Sequence, residues 1–453
     1  MKFALLLSAL LPSTFMAQQT DWFADAKLGI FIHWGMYAVD GTSESWAFHN
    51  GTVPYATYMR QMNGFSAAKY NPNQWGKLIK ESGARYCVIT TKHHDGLALY
   101  NTQIKTPQAP HQKNWNPKFP LSTKYQTPAK QDLISPLFTS LRQEQLKVGA
   151  YYSLLDWSSF DYPTFLKDSS RYQINDEPKR WNNFLTFMHG QIAEINTQLR
   201  PDLFWFDGDW EHSEIEWQAA QIDSIIHQSN PNAILNGRLH SFGNYDTPEQ
   251  NMPITHPSRP IWELCLTTND NWGYRPLDNN YKTPFELLCI FSECLGMGGN
   301  LLLDIGPKAD GTFPDEQVKI LQEFGRWTSK HQSAIYSTSA GIPYGHYHGN
   351  STLSKDSLVL NLFVPSPQGS DLHASNKMLP IYMKGLKNKP SIIELIGSST
   401  PLAVSEVGKI SWSEVPGTLF IQIPISEMDP MISVIQLTFN EPIELYRGQG
   451  GFH

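Results

Sequence analysis

Leu203-Phe-Trp-Phe206, preceded by Pro201-Asp202 and followed at once by Asp207-Gly208-Asp209-Trp210, is a short run of uninterrupted apolar residues that empties into a polar turn. Four apolar residues bounded in this way are too few for a helix. A run that is apolar at every position suits a strand covered on both faces, as in a parallel sheet. Comparable runs occur at 28–32, 86–90, 148–152, 233–236, 261–265 and 300–304. Between them lie stretches with helical patterning, at 75–81, 132–145, 180–199, 215–228, 284–295 and 314–330. Strands alternating with helices predict an α/β fold whose parallel sheet is clothed by helices. Seven strands, with an eighth expected near Ala334 to Tyr336, suit a (β/α)8 TIM-like barrel. A doubly wound open sheet would usually carry a Gly-rich phosphate turn after an early strand, and none is present.

The texture changes after residue 345. The runs 358–364, 381–383, 392–396, 419–424 and 434–439 are short and partly alternating, and turn residues rather than helical patterns separate them. This predicts a C-terminal antiparallel β-sandwich over 346–453 behind a barrel over 18–345. At the other end, Lys2 and the apolar run from Phe3 to Phe15, with Ala17 before Gln18-Gln19, read as a signal peptide over 1–17. Export to the periplasm or the extracellular space is the expectation, with no membrane span, because the run is too short to cross a bilayer. The four cysteines, Cys87, Cys265, Cys289 and Cys294, mostly sit in or beside apolar segments and have no zinc-like spacing, so free buried thiols are expected for most. A net charge of −7 without a long basic run argues against a nucleic-acid partner.

Barrel chemistry collects where strands end. Reading just past each run gives His33-Trp34-Gly35, Lys92-His93-His94-Asp95, Tyr152 with Asp156-Trp157, Asp207-Gly208-Asp209-Trp210, Arg238 with Asp246 and Glu249, and Glu263. Polar, titratable and aromatic groups therefore converge on one rim. Two carboxylates would let one attack or activate water while the other protonates a leaving oxygen, the requirement for glycoside hydrolysis. Asp207 is the candidate nucleophile, because a strand delivers it to the rim and Gly208 leaves room for a ligand. Asp209 is its rival, or else a helix cap. For the acid/base, Glu249 in a Pro-containing loop competes with Glu263, which could instead be a hydrogen-bonded core acid; Asp246 and Asp270 are outsiders. The acid/base would need a raised pKa, from burial and from the charge of Asp207. His33, His93 and His94 among several Trp look more like a hydroxyl-binding pocket than a metal cage.

These segments resemble glycoside hydrolase family 29, the retaining α-L-fucosidases. The likeness rests on Trp22-Phe-Ala-Asp-Ala-Lys-Leu-Gly-Ile-Phe-Ile-His-Trp-Gly35, Ala84-Arg-Tyr-Cys-Val-Ile-Thr-Thr-Lys-His-His-Asp-Gly96, Leu203-Phe-Trp-Phe-Asp-Gly208, Thr247-Pro-Glu249, Trp262-Glu263, Trp272-Gly-Tyr274 and Gly298-Gly-Asn-Leu-Leu-Leu-Asp-Ile-Gly-Pro307. The resemblance implies Asp207 as nucleophile and Glu249 as acid/base. Around the sugar it places His33, Trp46, His93, His94, Trp205, Arg238 and Tyr152 or its neighbour Tyr151. It implies no cofactor and no metal. The implied substrate is a fucosylated oligosaccharide or glycoconjugate, cleaved with retention by carboxyls roughly 5–5.5 Å apart. Fucose carries a methyl at C5, so an apolar patch should receive it. Two departures stand out. Many members have Glu directly before the Trp of the first loop, where this chain has Glu44-Ser45-Trp46; many read Leu-Asn-Ile-Gly where it has Leu303-Asp304-Ile-Gly.

Overall fold

A computed structural model describes residues 20–105, 120–368 and 378–448; the segment read as a signal peptide lies outside them. Seven parallel strands form the central sheet: β1 (Leu28–Ile32), β2 (Tyr86–Lys92), β3 (Lys147–Ser153), β4 (Leu203–Asp207), β5 (Ile234–Leu235), β6 (Glu263–Thr267) and β7 (Asn300–Ile305). They run in the order β5-β4-β3-β2-β1-β7-β6. The chain between β5 and β6 joins the two outer strands. Parallel bridges link Asn236 to Tyr245, Asp246 to Trp262 and Glu249 to Cys265. The Cys265 N–H donates to Pro248 O at 3.1 Å and the Gln250 N–H to Cys265 O at 2.9 Å. This segment is the eighth stave of a TIM-like barrel. Pro248 has no N–H to give a ladder, and so the stave is irregular.

The expected eighth strand at Ala334–Tyr336 is instead the end of a short helix, Gln332–Ile335, with Ala334 and Ile335 buried. A short apolar run cannot by itself be assigned to strand or buried helix, and the eighth position is already filled.

Successive strand residues point to opposite sides, and two separate apolar layers follow. Phe31, Val88, Tyr151, Trp205 and Leu302 belong to the layer inside the barrel. Ile30, Ile89, Tyr152, Phe206 and Leu303 belong to the layer between barrel and helices. The helices that cover them are α1 (Pro72–Glu81), α2 (Ile134–Gln143), α3 (Pro178–Gln198), α4 (Ala219–Ser229), α5 (Pro284–Gly296) and α6 (Asp315–Lys330). Local chemistry sets their starts. At α5, Pro284 occupies the first turn, and Thr283 and Glu286 exchange side-chain to backbone bonds in a capping box.

The C-terminal part comprises β8 (Thr338–Ala340), β9 (Ser351–Ser354), β10 (Val359–Pro365), β11 (Met378–Lys384), β12 (Ile392–Leu395), β13 (Ala403–Val407), β14 (Thr418–Pro424) and β15 (Ile432–Thr438). They form two antiparallel sheets, β8-β9-β10-β15-β12 and β11-β14-β13. Leu360, Leu362, Met383, Ile421, Ile423 and Leu437 fill the space between the sheets. Phe363, Ile432 and Val434 pack instead with the barrel's helical layer. All four cysteines are free thiols, and Cys289 is the one not fully buried.

Candidate active site

The inward face of the barrel decides which rim residues meet. Tyr151 pairs with Trp205 and Ser153 with Asp207 across β3 and β4. The Tyr151 hydroxyl donates to Asp207 Oδ2 at 2.7 Å. Burial, and then the charge of Asp207, push the Tyr151 phenol far above its ordinary pKa, so it stays a donor. Tyr152 is a correction: it faces outward, and its hydroxyl donates to Gln191 Oε1 on α3 at 2.8 Å. The tyrosine of the site is Tyr151.

Arg238 supplies the second donor to Asp207, NH1 to Oδ1 at 2.7 Å. The other arm of the same guanidinium donates to Glu249 Oε2 at 2.6 Å. Its plane lies over the Trp205 ring, 4.5 Å from the centroid. Burial works against the Arg238 charge, but the carboxylates of Asp207 and Glu249 outweigh it and hold its pKa above the ordinary range. Asp207 is buried, whereas the Glu249 side chain is 41 % exposed.

Glu263 stands apart. It is fully buried, accepting from Tyr86 at 2.5 Å and from the Trp205 indole at 2.9 Å. Burial pushes its carboxyl up to about 7. It is a core acid that fixes the Trp205 ring. Asp209 sits in a 3-10 turn, Asp209–Glu211, and its carbonyl accepts from Trp217. The turn at Ser213 is capped by Ser213 and Glu216 themselves, so Asp209 is not a cap there. Asp246 binds Arg259, and Asp270 binds Asn280.

The three histidines each commit Nδ1 to a side chain. His33 Nδ1 lies 2.6 Å from Asp304 Oδ1, His93 Nδ1 2.6 Å from Ser45 Oγ, and His94 Nδ1 2.6 Å from Ser153 Oγ. The Ser153 hydroxyl donates to Leu155 O, so it must accept from His94. His94 therefore carries its proton on Nδ1 and presents an unprotonated Nε2, 3.7 Å from Asp207 Oδ2. Burial holds His93 and His94 well below the ordinary histidine pKa. Among the described residues, no group of His, Cys, Asp and Glu could hold a metal ion.

Both sequence departures find a place. Glu44 adopts a left-handed φ of 36°. Glu44 and Trp46 both line the pocket, while Ser45 is buried against His93. Glu44 Oε1 accepts from the Gly273 N–H at 2.7 Å, and burial raises its pKa. Asp304 faces inward beside His33; burial raises its carboxyl to about 6, and His33 pulls it the other way.

Together these groups line a pocket of about 120 Å³. His33, Trp46, His93, His94, Trp205, Asp207, Arg238 and Glu249 line it, with Tyr151, the alternative to Tyr152, and with Phe31, Glu44, Trp210 and Trp272. Phe31 was legible two residues before His33, on the same face. Trp210 and Trp272 were legible inside the quoted motifs. Glu44 was legible only as the acid one place removed from Trp46, and its contact with the Gly273 N–H is tertiary. The chemistry on offer is a buried carboxylate, a more exposed carboxylate on the same guanidinium, three buried imidazoles and an aromatic wall.

A model of the α-L-fucosidase family matches residues 12–333. Human tissue α-L-fucosidase is 28% identical over 439 residues, covering 89% of this chain and 84% of its own. α-L-Fucosidase isoenzyme 1 from Paenibacillus thiaminolyticus shares the fold with a TM-score of 0.79 at 28% identity, over 94% of this chain and 100% of that one. A Bacteroides thetaiotaomicron α-L-fucosidase, solved as a trapped covalent intermediate with 2-fluoro-fucosyl fluoride, superposes with a TM-score of 0.73 at 24% identity, over 93% and 96% of the two chains. The match across the barrel, and the pocket that the barrel builds, lead to one conclusion: this chain belongs to the α-L-fucosidase family of glycoside hydrolases.

Proposed function

We propose that the enzyme removes terminal α-L-fucosyl residues from fucosylated oligosaccharides or glycoconjugates by double displacement, with Asp207 as nucleophile and Glu249 as acid/base. The observation that carries this is the shared guanidinium: Arg238 holds Asp207 and Glu249 together at one pocket. Asp207, oriented by Tyr151 and Arg238, attacks the anomeric carbon while Glu249 protonates the departing oxygen. Glu249 then takes a proton from the water that releases the glycosyl-enzyme, giving retention. Its exposure supports the second step, since water reaches it once the leaving group has gone. The intermediate trapped in the Bacteroides relative supports the same chemistry.

His33, His93, His94 and Glu44 bind the sugar hydroxyls. Phe31, Trp205 and Trp272, with ring centroids 5.0 and 6.0 Å from Phe31, form the apolar wall for the C5 methyl. No cofactor takes part. The N-terminal segment directs export to the periplasm or the extracellular space, which N-terminal sequencing of protein recovered from outside the cytoplasm would test.

The deciding experiment uses an aryl α-L-fucoside. Asp207→Ala should lose roughly 10³-fold or more in kcat. Glu249→Ala should lose roughly 10²- to 10⁴-fold on poor leaving groups, with azide restoring turnover on good ones. Equal rates for Asp207→Ala and wild type, or azide rescue of Glu263→Ala in place of Glu249→Ala, would overturn the assignment.

A further inference from the structure

Around the pocket, Trp210 and Glu249 are the two exposed residues; the others are buried or half-buried. These two therefore edge the mouth. Trp210 is 53 % exposed, an unusual place for an indole unless something covers it.

The turn that carries Trp210 is held firmly on both sides. Gly208 takes a φ of 94°, and a Cβ there would meet Leu155 Cγ at 2.3 Å. Glu211, next after Trp210, accepts from the Trp157 indole at 3.0 Å and from the Tyr162 hydroxyl at 2.6 Å. The Trp217 indole donates to the Asp209 carbonyl at 3.0 Å. The Trp210 ring itself lies nearly parallel to Trp46, 15° apart with centroids at 6.4 Å, and edge-on to His94. An exposed aromatic ring on a turn so restrained is preorganised: a flat ligand can stack on it without ordering a mobile side chain.

In the reaction above, on which this inference rests, Glu249 touches the oxygen between fucose and the next sugar. That next sugar must therefore lie at the mouth, where Trp210 is the other exposed wall. We infer that Trp210 is the platform of a second sugar subsite, which takes the pyranose ring bonded to fucose by stacking on its C–H face. The subsite selects for a glycan leaving group over a small one.

The test compares kcat/KM for a fucosyl disaccharide and for α-L-fucosyl fluoride, whose leaving group has no ring to stack. Trp210→Ala should lower the disaccharide-to-fluoride ratio about tenfold, chiefly through KM, and Trp210→Phe should restore most of it. An unchanged ratio overturns the inference, whether both rates fall, as they would if Trp210 acted through Trp46, or neither does. Wild-type enzyme inactive on the fluoride would instead overturn the reading of Asp207 and Glu249, a separate result from any change in the ratio.

Discussion

Replacing Tyr151 by Phe removes one of the two protein donors to Asp207, whereas the same change at Tyr152 removes a bond to Gln191 on the far side of the strand. Tyr151→Phe should therefore lower kcat/KM by about tenfold or more, the scale of a lost hydrogen bond to a charged group. Tyr152→Phe should keep kcat/KM within about twofold and cost about 1 kcal/mol in urea denaturation. The reverse pattern would put the wrong face of β3 in the pocket. Glu263 yields a prediction in pH. Burial raises its carboxyl from an ordinary 4.5 to about 7, so the fold favours the protonated form. That stability is complete below pH 4.5 and is lost as the pH climbs through 7, a fall on the order of 3 kcal/mol. Asp95 and Asp304, each raised to about 6, add losses that finish earlier. Glu263→Gln should flatten the stability profile between about pH 6 and 7, above the range of Asp95 and Asp304; a variant as steep as wild type would show that Glu263 is not the titrating group.

Among the elements, the stave at 245–250 matters most because it brings Glu249 to the mouth without a regular ladder. What fixes it is Asp246, which accepts from the Ser258 hydroxyl, the Arg259 N–H and the Arg259 guanidinium. Asp246→Ala should loosen the stave without touching the fucose pocket. The expected result is faster proteolysis within 245–260, together with a larger loss of kcat on poor leaving groups than on α-L-fucosyl fluoride, because acid catalysis in the proposed reaction depends on where Glu249 sits. Equal losses on both leaving groups would separate Asp246 from the acid/base. Gly208 shows the same principle on β4, where a left-handed residue ends the strand and turns the chain immediately after Asp207.

At the scale of the whole molecule, the sandwich braces the barrel. Arg326 on α6 makes two bonds to buried Asp429, at 2.8 and 3.1 Å, and Lys330 adds a third at 3.4 Å. The Trp327 indole donates to Ile432 O at 2.8 Å, and Phe363, Ile432 and Val434 share the barrel's helical core. Asp429→Ala should cost about 2 kcal/mol, a figure kept modest because Arg326 and Lys330 are partly exposed. With a shared core, barrel and sandwich should unfold together, as one coincident transition by tryptophan fluorescence and circular dichroism. Two separated transitions would show that the bracing is weak.

Local sequence determined the alternation of strands and helices, the helix starts at Pro and Thr, the sandwich texture after residue 345, and Asp207 at the end of its strand. Each depends on period, turn chemistry or short-range sterics, and these act between near neighbours. Tertiary structure alone decided the rest. Barrel closure uses a Pro-interrupted segment that no strand period reveals. The choice of Tyr151 over Tyr152 follows from which face the register turns inward. Glu249 and Glu263 differ because one meets Arg238 at the mouth and the other is enclosed by Tyr86 and Trp205. Glu44 is held at the pocket by the Gly273 N–H, far away in the chain. All four depend on contacts between residues distant in the chain, and the free energy of such contacts is set only once the barrel closes.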